Sequence, residues 1–101
     1  MRALGLVIAG LLLVGCGQSA TGLRVGAYHA CERAVGTTLR APSTADYSGA
    51  TGSDISNTGD NYVVRGYVDS ENGFGATIRT DFDCTVRHTS DDNWDLVDLN
   101  V

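Results

Sequence analysis

The chain has 101 residues, 43% of them hydrophobic, and a formal net charge of −5, with seven Arg, no Lys and twelve Asp plus Glu. This length bounds it to one small domain with a marginal core, the size at which a covalent staple matters. The acidic balance excludes recognition of nucleic acid or anionic lipid head groups by long-range attraction.

Met1-Arg2 is a short charged start, and Ala3 to Val14 is apolar, broken only by Gly5 and Gly10. A bilayer span takes roughly 20 apolar residues, so this run is too short for one. It has the length of a signal-peptide hydrophobic region. The run ends in Leu13-Val14-Gly15-Cys16, which resembles the lipobox of bacterial lipoproteins. The resemblance covers residues 1–16. It departs from the family in one respect, a single positive charge, Arg2, where two or more are usual. It implies that residues 1–15 are a lipoprotein signal peptide. Cys16 would then become the first residue and carry acyl chains (palmitate is usual) on its sulfur. The protein would be lipid-anchored at the extracytoplasmic face of the cell membrane. Two chains, at about 0.8 kcal/mol per buried methylene, make detachment negligible. The alternative is an ordinary signal peptide with an incidental cysteine, or an uncleaved anchor. Residues 16–22 read as a short lipidated tether of small and polar side chains, and residues 23–101 as the domain.

Leu23 to Leu39 has helical spacing. Leu23, Ala27, Cys31, Ala34, Val35 and Leu39 make one apolar stripe, with Arg24, Glu32, Arg33 and Thr37 away from it. Thr21 or Gly22 is placed to cap the start. Gly26 and Gly36 each weaken the helix by about 1 kcal/mol, so tertiary packing must hold it. Pro42 disfavours helix at Ala41 and sets the end near Arg40. Ser43 to Asn61 reads as an irregular connection with a brief strand around Ile55.

Tyr62 to Asp69 reads as a strand, with Val64, Gly66 and Val68 on one face and Val63, Arg65, Tyr67 and Asp69 on the other. Gly66 signals a bulge or a close approach of the helix. Ser70 to Gly73 reads as a hairpin turn with Asn72-Gly73 as its positive-φ pair. Phe74 to His88 then alternates. Phe74, Ala76, Ile78, Thr80, Phe82, Cys84 and Val86 form a dry face, and Arg79, Asp81, Asp83 and Arg87 fall on the wet one. Thr89 to Asn93 is a second turn. Trp94 to Val101 is a last strand whose Leu96, Val97 and Leu99 do not alternate cleanly.

Setting Cys16 aside leaves Cys31 and Cys84. One lies on the helix stripe and the other on the dry strand face, so two independent periodicities aim both thiols into one core. A Cys31–Cys84 disulfide is expected, and a loop of this length gives about 4 kcal/mol in the chain-entropy model. The expected fold class is α+β, one N-terminal helix packed on a three- to four-stranded antiparallel meander with a helix-to-sheet disulfide. Two segments, Ala41-Pro42-Ser43-Thr44-Ala45-Asp46-Tyr47 and Val68-Asp69-Ser70-Glu71-Asn72-Gly73-Phe74-Gly75, resemble a module recurring in small, uncharacterised exported proteins of bacteria and phages. That resemblance covers roughly residues 31–84 and brings no active residues with it.

Candidate chemistry is sparse. A zinc site from His29, Cys31, Cys84 and His88 fails on the helix, where residues two apart point about 200° from each other. Asp91, Asn93 and Asp95 match the first ligands of a calcium loop, but Leu96 stands where Gly is required. No nucleophile elbow and no phosphate loop occurs. Neither a metal nor a cofactor is expected, and no catalytic residue is assigned. The candidate binding surface is Arg65, Tyr67, Arg79 and Arg87 on the wet sheet face, with Trp94 near the last turn; the alternative is a plain solvated face with cross-strand ion pairs. The reading is a non-enzymatic interaction module of the cell envelope. Its partners are the membrane, through acyl chains on Cys16, and an envelope or incoming protein. A phage or prophage origin would have it act on infection of the host cell. The alternatives are an inhibitor of a cell-wall hydrolase, a small hydrolase or ligand-binding protein, which predicts a concave pocket, and a purely structural envelope lipoprotein.

Overall fold

A computed structural model of the chain describes residues 20–101. The expected signal peptide, Cys16 and the first part of the expected tether lie outside the described residues. Helix α1 (Ala20–Gly36) is followed by a single 3₁₀ turn (Pro42–Thr44) and five strands, β1 (Asp46–Tyr47), β2 (Asp54–Thr58), β3 (Asn61–Glu71), β4 (Thr77–Ser90) and β5 (Asn93–Asn100). All strand pairs are antiparallel. The order is β1-β3-β4-β5, and β2 shares with β1 the same edge of β3. The expected class, one helix on an antiparallel sheet, is the observed one, with two more short strands than the meander alone.

The helix packs across β3, β4 and β5. Ala27, Tyr28, Ala30, Cys31 and Val35 from α1 meet Tyr62, Val64, Val68, Phe82, Cys84 and Val86 from the sheet. Cys31 and Cys84 are bonded to each other, with Cα atoms 5.9 Å apart. Both are wholly buried.

Several local expectations are corrected. Ala20 to Gly22, read as tether, form the first turn of α1, so Thr21 and Gly22 lie inside the helix rather than capping it. The helix stops at Gly36, short of Arg40. The hydroxyls of Thr37 and Thr38 donate to the carbonyls of Ala34 and Val35 at 2.7 Å, and the backbone closes with three-residue turns there. The close approach at Gly66 comes from a loop rather than the helix. A Cβ at Gly66 would sit 2.6 Å from the hydroxyls of Ser48 and Ser53. That loop lies between β1 and β2 and continues the edge of β3: Tyr67 N–H donates to Ser48 Oγ and Ser48 N–H to Tyr67 O. The β3–β4 register runs unbroken through Gly66, so there is no bulge in that pair.

The dry face of β4 is shorter than its alternation predicts. Phe82, Cys84 and Val86 are buried, but Ile78 is 46% exposed and Phe74 97% exposed. Phe74 belongs to the hairpin loop, where Asn72 Oδ1 accepts from the N–H groups of Phe74 and Ala76. The positive φ falls at Gly75 rather than at Asn72-Gly73. The loop is residues 72–76, with its left-handed glycine at Gly75, so it lies further along the chain than the Ser70 to Gly73 turn expected, and Ser70 and Glu71 belong to β3.

Candidate functional site

The open face of the sheet is built by strand alternation. Register places Asp54, Arg65, Asp83 and Asn100 in one row across β2, β3, β4 and β5. Asp46, Asp69 and Arg79 form a second row, Tyr67 and Asp81 a third, and Asn61, Arg87 and Asp95 a fourth. Each arginine therefore stands directly across from an aspartate, where cross-strand pairs interact, while Asp46 and Asp69 are a like-charged pair on the β1 side.

Each arginine of the face is engaged. Arg65 Nε donates to Asp83 Oδ2 at 3.0 Å, Arg79 grips Asp69 with two hydrogen bonds of 2.8 and 2.9 Å, and Arg87 reaches Asp95 at 2.9 Å. The Arg79 guanidinium also lies over the Tyr67 ring, 3.8 Å from its centroid. Its fork holds the Asp69 carboxyl below the usual carboxylate range, and Asp69 in turn raises the guanidinium. The Arg65 and Arg87 pairs are about half exposed on both sides. Such pairs are worth about 0–1 kcal/mol each, so they fix the charge pattern more than they stabilise the fold. An open groove of about 620 Å³ runs over the middle of this face, between Asp54 at one edge and Asn100 and Val101 at the other.

Arg65, Tyr67, Arg79 and Arg87 thus share the open face as the alternation predicts, and of the four Arg65 and Tyr67 line the groove. Trp94 is not among them. It faces the helix side, with its indole against Gly26 and its ring edge-to-face with Tyr62 at 5.4 Å and tilted against His88 at 4.8 Å. The groove's rim residues Asp54 and Asn100 escape the sequence reading, because β2 is short and the β5 register is irregular. Of the zinc set rejected on spacing, the two sulfurs are bonded to each other. Among the calcium candidates, Asp95 is held by Arg87, and Asn93 donates to Ser90 Oγ at 3.2 Å.

The fold and this face define an α+β domain in which one helix is stapled to an antiparallel sheet whose other side carries an ordered lattice of Arg–Asp pairs. No family model, curated protein or solved structure matches the chain.

Proposed function

We propose that the protein is a lipoprotein, anchored by Cys16 at the extracytoplasmic face of a membrane, that displays a non-enzymatic binding domain. The observation that carries this reading is the Cys31–Cys84 bond at the centre of the core. Such bonds form and persist outside the reducing cytoplasm. Export agrees with the leader and with the lipobox-like Leu13-Val14-Gly15-Cys16. A small rigid domain with a fixed charge pattern on one face suits recognition, since little ordering cost is left to meet on binding. The partner is a protein of the envelope or one arriving at it. The module resemblance extends the proposal to a phage or prophage gene product acting on infection.

Fractionation of wild-type and Cys16→Ala proteins tests the anchor. Wild type should sediment with membranes and be released only by detergent, and the variant should lose that association. Equal membrane association of the two would refute it. A second reading, inhibition of a cell-wall hydrolase, is favoured by Phe74, an aromatic side chain held out on an ordered hairpin. Hydrolase assays with added protein decide it, and no inhibition at micromolar levels removes that reading.

A further inference from the structure

The helix covers only part of the sheet. Gly26 lies against Trp94, Cys31 is bonded to Cys84, and Gly36 lies against Tyr47, which pairs with Val68. The β3–β4 hairpin runs on past that level to the loop between Glu71 and Thr77. On the helix side of this free end Ile78 is half exposed, and Phe74 stands almost wholly in solvent. The loop is nevertheless ordered. Asn72 Oδ1 takes two backbone N–H groups, Asn72 N–H donates to Ala76 O at 2.9 Å, and Gly75 N–H donates to Asn72 O at 3.1 Å.

The chain leaving α1 brings Arg40 to this same place. Its guanidinium lies 3.3 Å from where a Cβ on Gly73 would stand. Arg40, Asn72, Gly73, Phe74 and Ile78 line one hollow of about 470 Å³. The three arginines of the open face all hold carboxylates. Among the described residues none of those ion pairs includes Arg40. In a chain of net charge −5, this hollow therefore has a cation as its one charged wall.

We propose that the hairpin end is a docking cleft for a protein segment that presents an apolar side chain next to a carboxylate. The apolar group lies between Phe74 and Ile78, and the carboxylate meets the Arg40 guanidinium in a two-pronged bond. Exposed aromatics and arginines are common anchors of protein interfaces. Position selects a protein over a lipid surface. The N-terminus of α1, which leads back to Cys16, lies at the opposite end of the sheet, beside Trp94 and Ile55. The cleft therefore faces away from the anchored end. This inference rests on the reading of the domain as a binding module and gives that module its recognition chemistry.

Titration of the isotope-labelled full-length protein, in zwitterionic lipid nanodiscs, with acetyl-Phe-Glu-amide and acetyl-Phe-Gln-amide tests the proposal by NMR. Shifts should be confined to Arg40, Gly73, Phe74, Ile78 and their neighbours. The acidic peptide should bind about three- to fivefold more tightly than the neutral one, as an ion pair to an exposed guanidinium implies. Arg40→Gln should erase that preference, and Phe74→Ala should lose both peptides. Both side chains are exposed, so neither change disturbs the core. Equal binding of the two peptides, shifts on the open sheet face, binding that survives Phe74→Ala, or no shift up to about 10 mM would each overturn it. Phe74-dependent partition into phosphatidylglycerol vesicles would overturn it in favour of a lipid surface. Shifts at the hairpin that depend on protein concentration alone would overturn it in favour of a second copy. The Cys16→Ala fractionation is independent of this cleft, so a failed cleft and a failed anchor are told apart.

Discussion

Tyr28 does two jobs with one side chain. Its ring is buried in the core, and its hydroxyl accepts the Gly49 N–H at 3.0 Å, tying the loop between β1 and β2 to the helix. Burial, with Glu32 nearby, pushes the phenol up to about 12, and the Gly49 bond acts the other way. A raised pKa means that the folded state holds this proton more tightly than the unfolded chain does. The stability it contributes is complete below about pH 10, the unfolded value, and is lost as pH rises through about 12. An absorbance titration of the wild type against Tyr28→Phe should show one phenol ionising well above the usual range, together with loss of the fold. Tyr28→Phe should cost about 1 kcal/mol in denaturant unfolding, because the Gly49 N–H loses its acceptor. Gly66 is the other residue on which this loop depends. Ser53 Oγ donates to Gly49 O at 2.7 Å and bonds Ser48 Oγ at 2.8 Å, directly over the Gly66 backbone. A methyl group there must push both hydroxyls aside. Gly66→Ala should therefore destabilise by about 1–3 kcal/mol, again read by denaturant unfolding.

Among the elements, α1 is held by packing rather than by propensity. Two of its glycines, Gly26 in the interior and Gly36 at the last position, are sites of contact. Gly26 leaves room for the Trp94 indole, and Gly36 for the Tyr47 hydroxyl. Arg24 donates to the Ile55 carbonyl, fastening the first half of the helix to β2. The disulfide fastens its middle. Cys31→Ala with Cys84→Ala should lower stability by up to about 4 kcal/mol, visible as a large drop in melting temperature. The stripe through Ala27, Cys31 and Val35 and the alternation through Phe82, Cys84 and Val86 made this contact legible from sequence, because each is a repeated apolar signal with one period. Other features were less legible. β2 showed only as a brief strand around Ile55, and β1 not at all: both are short and polar, with Ile55 the one buried side chain between them, and backbone pairing to β3 holds them. The blurred pattern of β5 has a physical cause. Thr85 pairs with Asp98 and Val86 with Leu96, so Val97 is an extra residue that breaks the alternation. Phe74 fits the β4 period yet stands in solvent, because the side chain of Asn72 captures the backbone there and starts the strand at Thr77. On the open face, alternation placed Arg65, Tyr67, Arg79 and Arg87 together. The alternation also allowed cross-strand ion pairs there, but not which aspartate each guanidinium holds, since that depends on the cross-strand register.

At the scale of the whole molecule the two ends differ in character. The helix start, Trp94 and Ile55 mark one end, and the Phe74 hairpin with Arg40 marks the other. Under the proposed function the first end faces the membrane and the second faces outward, so anchor and recognition are separated along the length of the sheet. The proposed lipoprotein is cleaved before Cys16, acylated on Cys16 and oxidised at the Cys31–Cys84 pair. One measurement reads all three, the intact mass of the protein recovered from membranes, with and without reduction. The account predicts residues 16–101 plus acyl chains, with a gain of about two hydrogens on reduction. A soluble unlipidated product, or a mass unchanged by reduction because both thiols are already free, would contradict it.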